Sequence, residues 1–109
     1  MSASAAGDTP AVGHRLLAGY PNPFNPMTRI PYELGAARGG DVAVKLEILD
    51  LRGRLVRTLV DTRQPADTRQ EAAWDGTNAA GRLLASGSYI SQLTVDGGQP
   101  QARILTLLK

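Results

Sequence analysis

The chain has 109 residues, of which 42% are apolar, a formal net charge of +2 and no cysteine. This length suits one domain with a single core. The absence of cysteine excludes disulfides, thiolate catalysis and zinc–thiolate sites. The arginines are scattered among acidic residues, so no nucleic-acid partner is expected. No apolar run is long enough for a membrane span and no signal-peptide pattern precedes the domain, so membrane insertion is not expected either.

Residues 1–13 are mainly small or polar, and we predict that they form a flexible N-terminal tail or linker. From His14 to Lys109 the chain divides into short strand-like runs separated by turn signals. Their spacing of about eight to fifteen residues is typical of a β-sandwich. We therefore predict one all-β domain over residues 14–109, a two-sheet antiparallel sandwich of about seven strands.

An unusual segment, YPNPFNP, precedes the first clear strand and is called the entry segment here (residues 20–26). Its three prolines fix φ and remove backbone donors, which favours an extended or turn path that needs no ladder partners; these are Pro21, Pro23 and Pro26. We expect Asn22 and Asn25 to close Asx-turns, and Tyr20 and Phe24 to cover the open end of the sandwich. Phe24 interrupts a PxxP register, so this structural role is favoured over that of a proline-motif ligand.

The next two runs alternate between apolar and other residues. In TRIPYEL the side chains of Ile30, Tyr32 and Leu34 share one face, and Pro31 predicts an edge strand or a bulge because it cannot donate a ladder bond. The run DVAVKLEILD predicts a central strand whose four inward side chains are Val42, Val44, Leu46 and Ile48. Lys45 then points outward, which gives no basis for a buried-lysine crosslink.

Turn signals separate the later strands. Asp50 to Gly53 predicts a hairpin, with a twist or bulge between Leu55 and Val60 because alternation fails there. Trp74, at a predicted strand end before Asp75 and Gly76, is the expected anchor of the core. The remaining positions that we interpret as structural are turn glycines and an inward aromatic: Gly81, Gly87 and Tyr89.

The final run, Gln101 to Lys109, is apolar on both faces, with Ile104 and Leu108 on one and Leu105 and Leu107 on the other. Either the strand twists and buries both sets, or one set stays exposed and docks a partner. Strand addition at this edge is one way in which a partner could bind. The residues predicted to bind it are Ile104, Leu105, Leu107, Leu108 and Lys109.

Candidate chemistry is sparse. The loop DGTNAAGR, which contains Asp75 and Asn78, lacks the oxygen spacing and the closing acidic residue of a calcium loop, so Asx-capping of a turn is favoured over a metal site. No motif places a serine or an acid beside His14, and we predict no enzymatic activity, no cofactor and no small-molecule substrate. The hairpin arginines, Arg52, Arg54 and Arg57, could bind an acidic partner, but a solvated hairpin tip is favoured.

Four blocks together resemble a known family: the entry segment with its following strand, VKLEILDLRGRLVRTLV, WDGTNAAGRLLASGSYISQLTVDGG and ILTLLK. They resemble type A C-terminal sorting domains of the type IX (Por) secretion system, and equally the Ig-like domain of the flagellar hook-capping protein. The resemblance spans residues 14–109 and implies an Ig-like, fibronectin III-like fold. Where the family usually has an aromatic residue, this chain has His14.

The resemblance leaves two functions open, both dependent on protein partners. The first is a non-catalytic module at the end of a larger exported cargo, directing it through the secretion machinery to the surface of a Gram-negative-type bacterium. The second is a structural module that packs against copies of itself or a polymer. A large secreted protein upstream of Met1 in the gene would favour the first, and a complete small reading frame the second.

Overall fold

The computed structural model describes residues 13–36 and 40–109, and the predicted tail lies, apart from Gly13, outside these residues. Seven antiparallel strands are present in the described part. They are β1 (Arg15–Leu16), β2 (Thr28–Leu34), β3 (Asp41–Leu49), β4 (Leu55–Pro65), β5 (Thr68–Trp74), β6 (Gly87–Val95) and β7 (Gln101–Leu107). One sheet has the order β1–β2–β5 and the other β4–β3–β6–β7. The fold is thus the predicted all-β, Ig-like sandwich.

Strand β3 is central, as its alternation predicts. It pairs with β4 on one side and β6 on the other. Val42, Val44, Leu46 and Ile48 are at most 2% exposed, whereas Lys45 is exposed. The register between β3 and β4 shifts twice, so that Leu59 and Val56 are each left without a partner. These irregularities confirm the bulge predicted between Leu55 and Val60.

The prediction that Pro31 marks an edge strand or a bulge is wrong. Strand β2 is the middle strand of its sheet, and its register with β5 is continuous. The Pro31 carbonyl accepts a hydrogen bond from the Leu17 N–H at 3.0 Å, so the ring nitrogen also faces the β1 side. Strand β1 ends at Leu16, so no strand residue lies beside the ring nitrogen of Pro31. The missing N–H of proline therefore costs this sheet no ladder hydrogen bond.

The core lies between the sheets and is centred on Trp74, which is 1% exposed. Its ring centroid is 5.4 Å from that of Phe24 and 5.5 Å from that of Tyr89. The indole Nε1–H donates to the Thr77 carbonyl at 2.9 Å, so the one polar atom of the side chain is satisfied. Trp74 therefore joins the entry segment, β5 and β6, and its predicted burial at a strand end is confirmed.

Candidate protein-binding surface

Strand β7 buries one of its two apolar faces. Leu105 and Leu107 are fully buried between the sheets, whereas Ile104 is 53% and Leu108 49% exposed. The alternative in which the strand twists and buries both apolar pairs is therefore wrong. Of the residues predicted to bind a partner, Ile104, Leu108 and the exposed Lys109 are accessible in the folded domain, and the two leucines of the core are not.

Strand register extends this exposed apolar face across the whole four-stranded sheet. Ile104 lies opposite Ile90 on β6, Ile90 lies opposite Leu49 on β3, and Leu49 lies opposite Leu55 on β4. Side chains directly opposite one another project from the same face of a sheet. The four form an apolar row on the outer face, and Leu55 at its far end is 57% exposed.

The outer face of β6 and β7 also lacks charge. Its rows pair Ser88 with Thr106, Ile90 with Ile104, and Gln92 with Ala102. Thr94 and Leu108 complete the outward positions, and none of these side chains is ionisable. We call this surface the uncharged face; it comprises Ser88, Ile90, Gln92, Thr94, Ala102, Ile104, Thr106 and Leu108.

The outer edge of β7 is already paired, by the entry segment. The Asn22 carboxamide donates to the Ile104 carbonyl at 3.0 Å and accepts from the Thr106 N–H at 2.9 Å. The Phe24 N–H donates to the Thr106 carbonyl and its carbonyl accepts from the Leu108 N–H, both at 2.9 Å. The entry segment therefore does pair with a strand, contrary to the expected path, and strand addition at this part of the edge would require its displacement.

Asn22 thus acts as a substitute peptide group, and the Asx-turn expected of it does not form. Asn25 is exposed, and its side chain makes no hydrogen bond among the described residues. A second carboxamide extends from β7 to the neighbouring backbone. Gln101 of β7 donates to the His14 carbonyl at 2.7 Å and accepts from the Leu16 N–H at 2.8 Å. Gln101 therefore links β7 to β1 of the other sheet, and Asn22 links β7 to the entry segment.

Tyr20 does not cover the open end of the sandwich as predicted, and Phe24, at 1% exposure, packs in the core beside Trp74. Tyr20 is 48% exposed, and its hydroxyl donates to the Glu71 carboxylate. This hydrogen bond raises the pKa of Tyr20 and lowers that of Glu71. Backbone pairing with Arg29 holds Tyr20 at the edge of β2, which turns its ring towards the outer face of the three-stranded sheet.

Two loops at one end of the sandwich have the same construction. In DLRGR, Asp50 Oδ1 accepts from the Arg52 and Arg54 N–H groups at 2.9 and 3.0 Å. In NAAGR, Asn78 Oδ1 accepts from the Ala80 and Arg82 N–H groups at 3.0 and 3.1 Å. The fourth residue of each loop is a glycine with positive φ, +85° for Gly53 and +83° for Gly81. Asn78 therefore caps a turn, which is the role that its sequence context predicts.

Asp75 is also occupied within its turn. Its Oδ1 accepts from the Thr77 hydroxyl and the Thr77 N–H, and Arg57 lies 3.4 Å away. The hydroxyl bond is the largest influence lowering the pKa of Asp75. Within residues 13–36 and 40–109, no group of three or more His, Cys, Asp or Glu is arranged to hold a metal ion. The same ranges contain no helix that is long and apolar enough to cross a membrane.

The loops and the Trp74 turn lie in a region that matches a family. Residues 35–99 match the FlgD Ig-like domain, which is more than half of the chain. The chain belongs to the FlgD Ig-like domain family. The positions from Gly53 to Tyr89 that we interpret from the sequence as structural fall inside the match, whereas the entry segment and β7 fall outside it. No curated protein sequence matches the chain.

The fold is similar to that of chains in several solved structures, among them the following two. One is dimeric latent PorU from Porphyromonas gingivalis, with a TM-score of 0.70 and 23% identity over 95% of this chain and 10% of PorU. The other is the alkylpurine DNA glycosylase AlkC of Pseudomonas fluorescens, bound to DNA containing an abasic site analogue. It has a TM-score of 0.55 and 16% identity over 86% of this chain and 29% of AlkC. These likenesses show the fold, and this FlgD Ig-like domain spans less than a third of either chain.

Sequence reasoning found β7 but missed the row that continues from it. Alternation on β6 directs Tyr89, Leu93 and Val95 inward, so Ile90 points outward by the same pattern. Nothing in the pattern places Ile90 beside Ile104 and Leu49, because strand register depends on the turns that join the strands.

Proposed function

We propose that this domain is a non-catalytic sorting module, which directs an attached cargo through the type IX secretion system to the surface of a Gram-negative-type bacterium. Support comes from the sequence resemblance over residues 14–109 and from the fold that the chain shares with part of PorU, a Por protein. That likeness covers 95% of this chain, so neither the seven-residue entry segment nor the seven-residue β7 lies wholly outside it.

The observation that carries the proposal is the outward face of β7. Ile104 and Leu108 are apolar and about half exposed, and they lie on the same outward face with only Thr106 between them. Asn22 and Phe24 hold the backbone on either side of Thr106, so these two side chains are presented in a fixed orientation. Because the strand edge is occupied, the machinery would recognise the side chains of the folded domain.

The test replaces Ile104 and Leu108 together by serine in the domain fused to a reporter, in a host with type IX machinery. Leu83→Ser is the matched control because Leu83 is also 49% exposed but lies in the loop between β5 and β6. The melting temperatures of both variants are compared with that of the parent first. We expect at least about a tenfold loss of surface reporter for the double variant and none for the control. Parental export of a folded double variant would refute the proposal.

Membership of the FlgD Ig-like family favours a second candidate, a structural assembly module acting through protein–protein packing. The uncharged face is the feature that suits it, because the cores of protein interfaces are depleted of charge. Export of a reporter by the isolated domain separates the candidates, since an assembly module has no reason to transfer its fusion partner across the outer membrane.

A further inference from the structure

The outer face of the three-stranded sheet carries charge, whereas the β6 and β7 part of the other outer face does not. On the three-stranded sheet, Arg15 and Arg69 both lie within hydrogen-bond or ion-pair distance of Glu33, at 2.9 and 3.4 Å. Arg29 and Glu71 add another pair at 3.3 Å. This charged ladder is the usual way in which a solvent-facing sheet remains soluble and unpaired. The uncharged face of β6 and β7 has no such protection.

Charges on the four-stranded sheet begin only at β3. Glu47 lies opposite Gln92 and Lys45 lies opposite Thr94, so the charged positions border the uncharged face on one side. On the other side, Arg103 turns away from it and donates to the Leu16 carbonyl at 3.2 Å. The result is an apolar and neutral-polar patch with Ile90 and Ile104 at its centre and charged positions along its border with β3. This is the layout of an interface core within a polar rim.

We infer that the uncharged face is a self-association surface, and that its occupant is the same face of a second copy of this chain. A twofold interface requires a patch that is complementary to itself, and a patch without charge does not repel its own copy. A partner recognised through charge would instead leave steering groups of one sign on this face. The inference does not rest on the sorting role.

The area of the uncharged face determines how strong a dimer is expected. Outward positions are about 6.8 Å apart along a strand and about 4.8 Å apart between strands, so eight of them cover about 260 Å² in projection. The accessible surface of side chains exceeds their projection, and Leu49 and Leu55 extend the apolar row. Two faces would bury on the order of 1,000 Å² in total, which is at the lower limit of a specific interface. The dimer should therefore be weak and dependent on concentration.

The test measures the mass of the isolated domain by sedimentation equilibrium between about 10 μM and about 1 mM. A rise in average mass across this range is expected, with amide NMR shifts at Ile90, Ile104 and Leu108 changing in parallel. The amides of Glu33 and Arg69, on the opposite outer face, should stay unchanged. A domain that remains monomeric at the highest concentration would overturn the inference.

Two variants test whether the dimer contact lies on the uncharged face. Ile104→Lys puts a charge at the centre of the uncharged face, and Ala43→Lys puts the same charge at an exposed outward position of β3, beyond its border. Both positions are exposed, so both variants should melt like the parent. Ile104→Lys should weaken the dimer at least about tenfold and Ala43→Lys by less than about twofold. Equal effects of the two variants would show that the contact lies elsewhere.

Salt provides an independent readout. An interface without charge should keep its dissociation constant between about 50 mM and about 500 mM sodium chloride, because there is no ion pair for the salt to screen. A large weakening at high salt would mean that the charged positions make the contact, and would refute the assignment. Because all three measurements use the isolated domain, they are unaffected by whether a fused reporter is exported.

Discussion

Asp50 and Asn78 occupy the same position in two loops of the same geometry, although one side chain is a carboxylate and the other a carboxamide. Each uses a single oxygen to accept two backbone N–H bonds, from the second and the fourth residue after it. Each also donates its own N–H to the carbonyl of that fourth residue, at 2.9 and 3.0 Å. The loop therefore needs the oxygen, and the negative charge of Asp50 is an addition to it.

The comparison of Asp50 with Asn78 predicts how acid changes the stability of the domain. The backbone N–H of Arg54, followed by its side chain, holds the pKa of Asp50 below its ordinary value. A lowered folded-state pKa stabilises the domain above the unfolded value of about 3.9, and that stabilisation is lost as the pH falls through the folded value. In Asp50→Asn the loop should survive, as at Asn78, and the loss of stability in acid should be smaller.

The measurement is the urea midpoint between about pH 7 and about pH 2 for the parent and Asp50→Asn. Near neutral pH the parent should have the higher midpoint, and the difference between the two proteins should shrink as the pH falls through the folded-state pKa of Asp50. Asp75 and Glu71 also have lowered pKa values, so the variant retains part of the acid sensitivity. Identical curves for the two proteins at every pH would contradict the assigned role of Asp50.

Asn22 should stabilise the edge of β7. Asn22→Ala removes the bonds to the Ile104 carbonyl and the Thr106 N–H, and we expect a loss of about 1–2 kcal/mol because a typical hydrogen bond contributes about 1 kcal/mol. Amide exchange at Thr106 should accelerate as well. The matched control is Asn25→Ala, which should change neither quantity because Asn25 is exposed. If the Thr106 amide exchanged as slowly in Asn22→Ala as in the parent, this edge contact would be contradicted.

Gly19 is required by a close approach between the chain before the entry segment and β7. A Cβ at this position would lie 2.5 Å from Leu105 Cδ2 and 3.2 Å from Thr28 Oγ1. Leu105 is fully buried, so a shift of its side chain would disturb the packing around it, and Gly19→Ala should cost about 1–3 kcal/mol. Chemical unfolding of the single variants and of Gly19→Ala with Leu105→Ala measures the coupling between them.

The double variant should be less destabilised than the sum of the two single variants, because the shortened side chain makes room for the new methyl group. Gly19 does not have a φ in the left-handed region, so backbone strain of that kind does not add to the cost of the new methyl group. Additive losses would mean that the clash is not with Leu105.

Trp74 should be the largest single contributor to the core. Trp74→Ala is expected to lower the unfolding free energy by about 3–5 kcal/mol, because it leaves a cavity between Phe24 and Tyr89. Trp74→Phe keeps an aromatic ring and loses the bond to the Thr77 carbonyl, so its cost should be smaller. Circular dichroism during urea unfolding measures both variants without tryptophan fluorescence. An alanine variant that unfolds at the parental midpoint would show that the ring does not anchor the core.

The sequence by itself determined the type of fold and most of the core. Alternation on β3 directs Val42, Val44, Leu46 and Ile48 inward, because apolar periodicity reports directly on which face of a strand loses water, and Trp74 is the predicted anchor of the core. The turn residues Asp50 and Gly53 determined the hairpin for an equally local reason, since a side-chain oxygen and a positive φ act within five residues.

Only the tertiary structure decided what lies beside what. Whether Pro31 sits in an edge or a middle strand depends on the length of β1, and Tyr20 turns outward because its backbone pairs with Arg29. The use of Asn22 by β7 and the alignment of Ile104 with Ile90 join residues 82 and 14 positions apart in the chain. Local patterns determine the faces of a strand, but neighbours across strands are set by register and by the packing of the two sheets, which no short segment encodes.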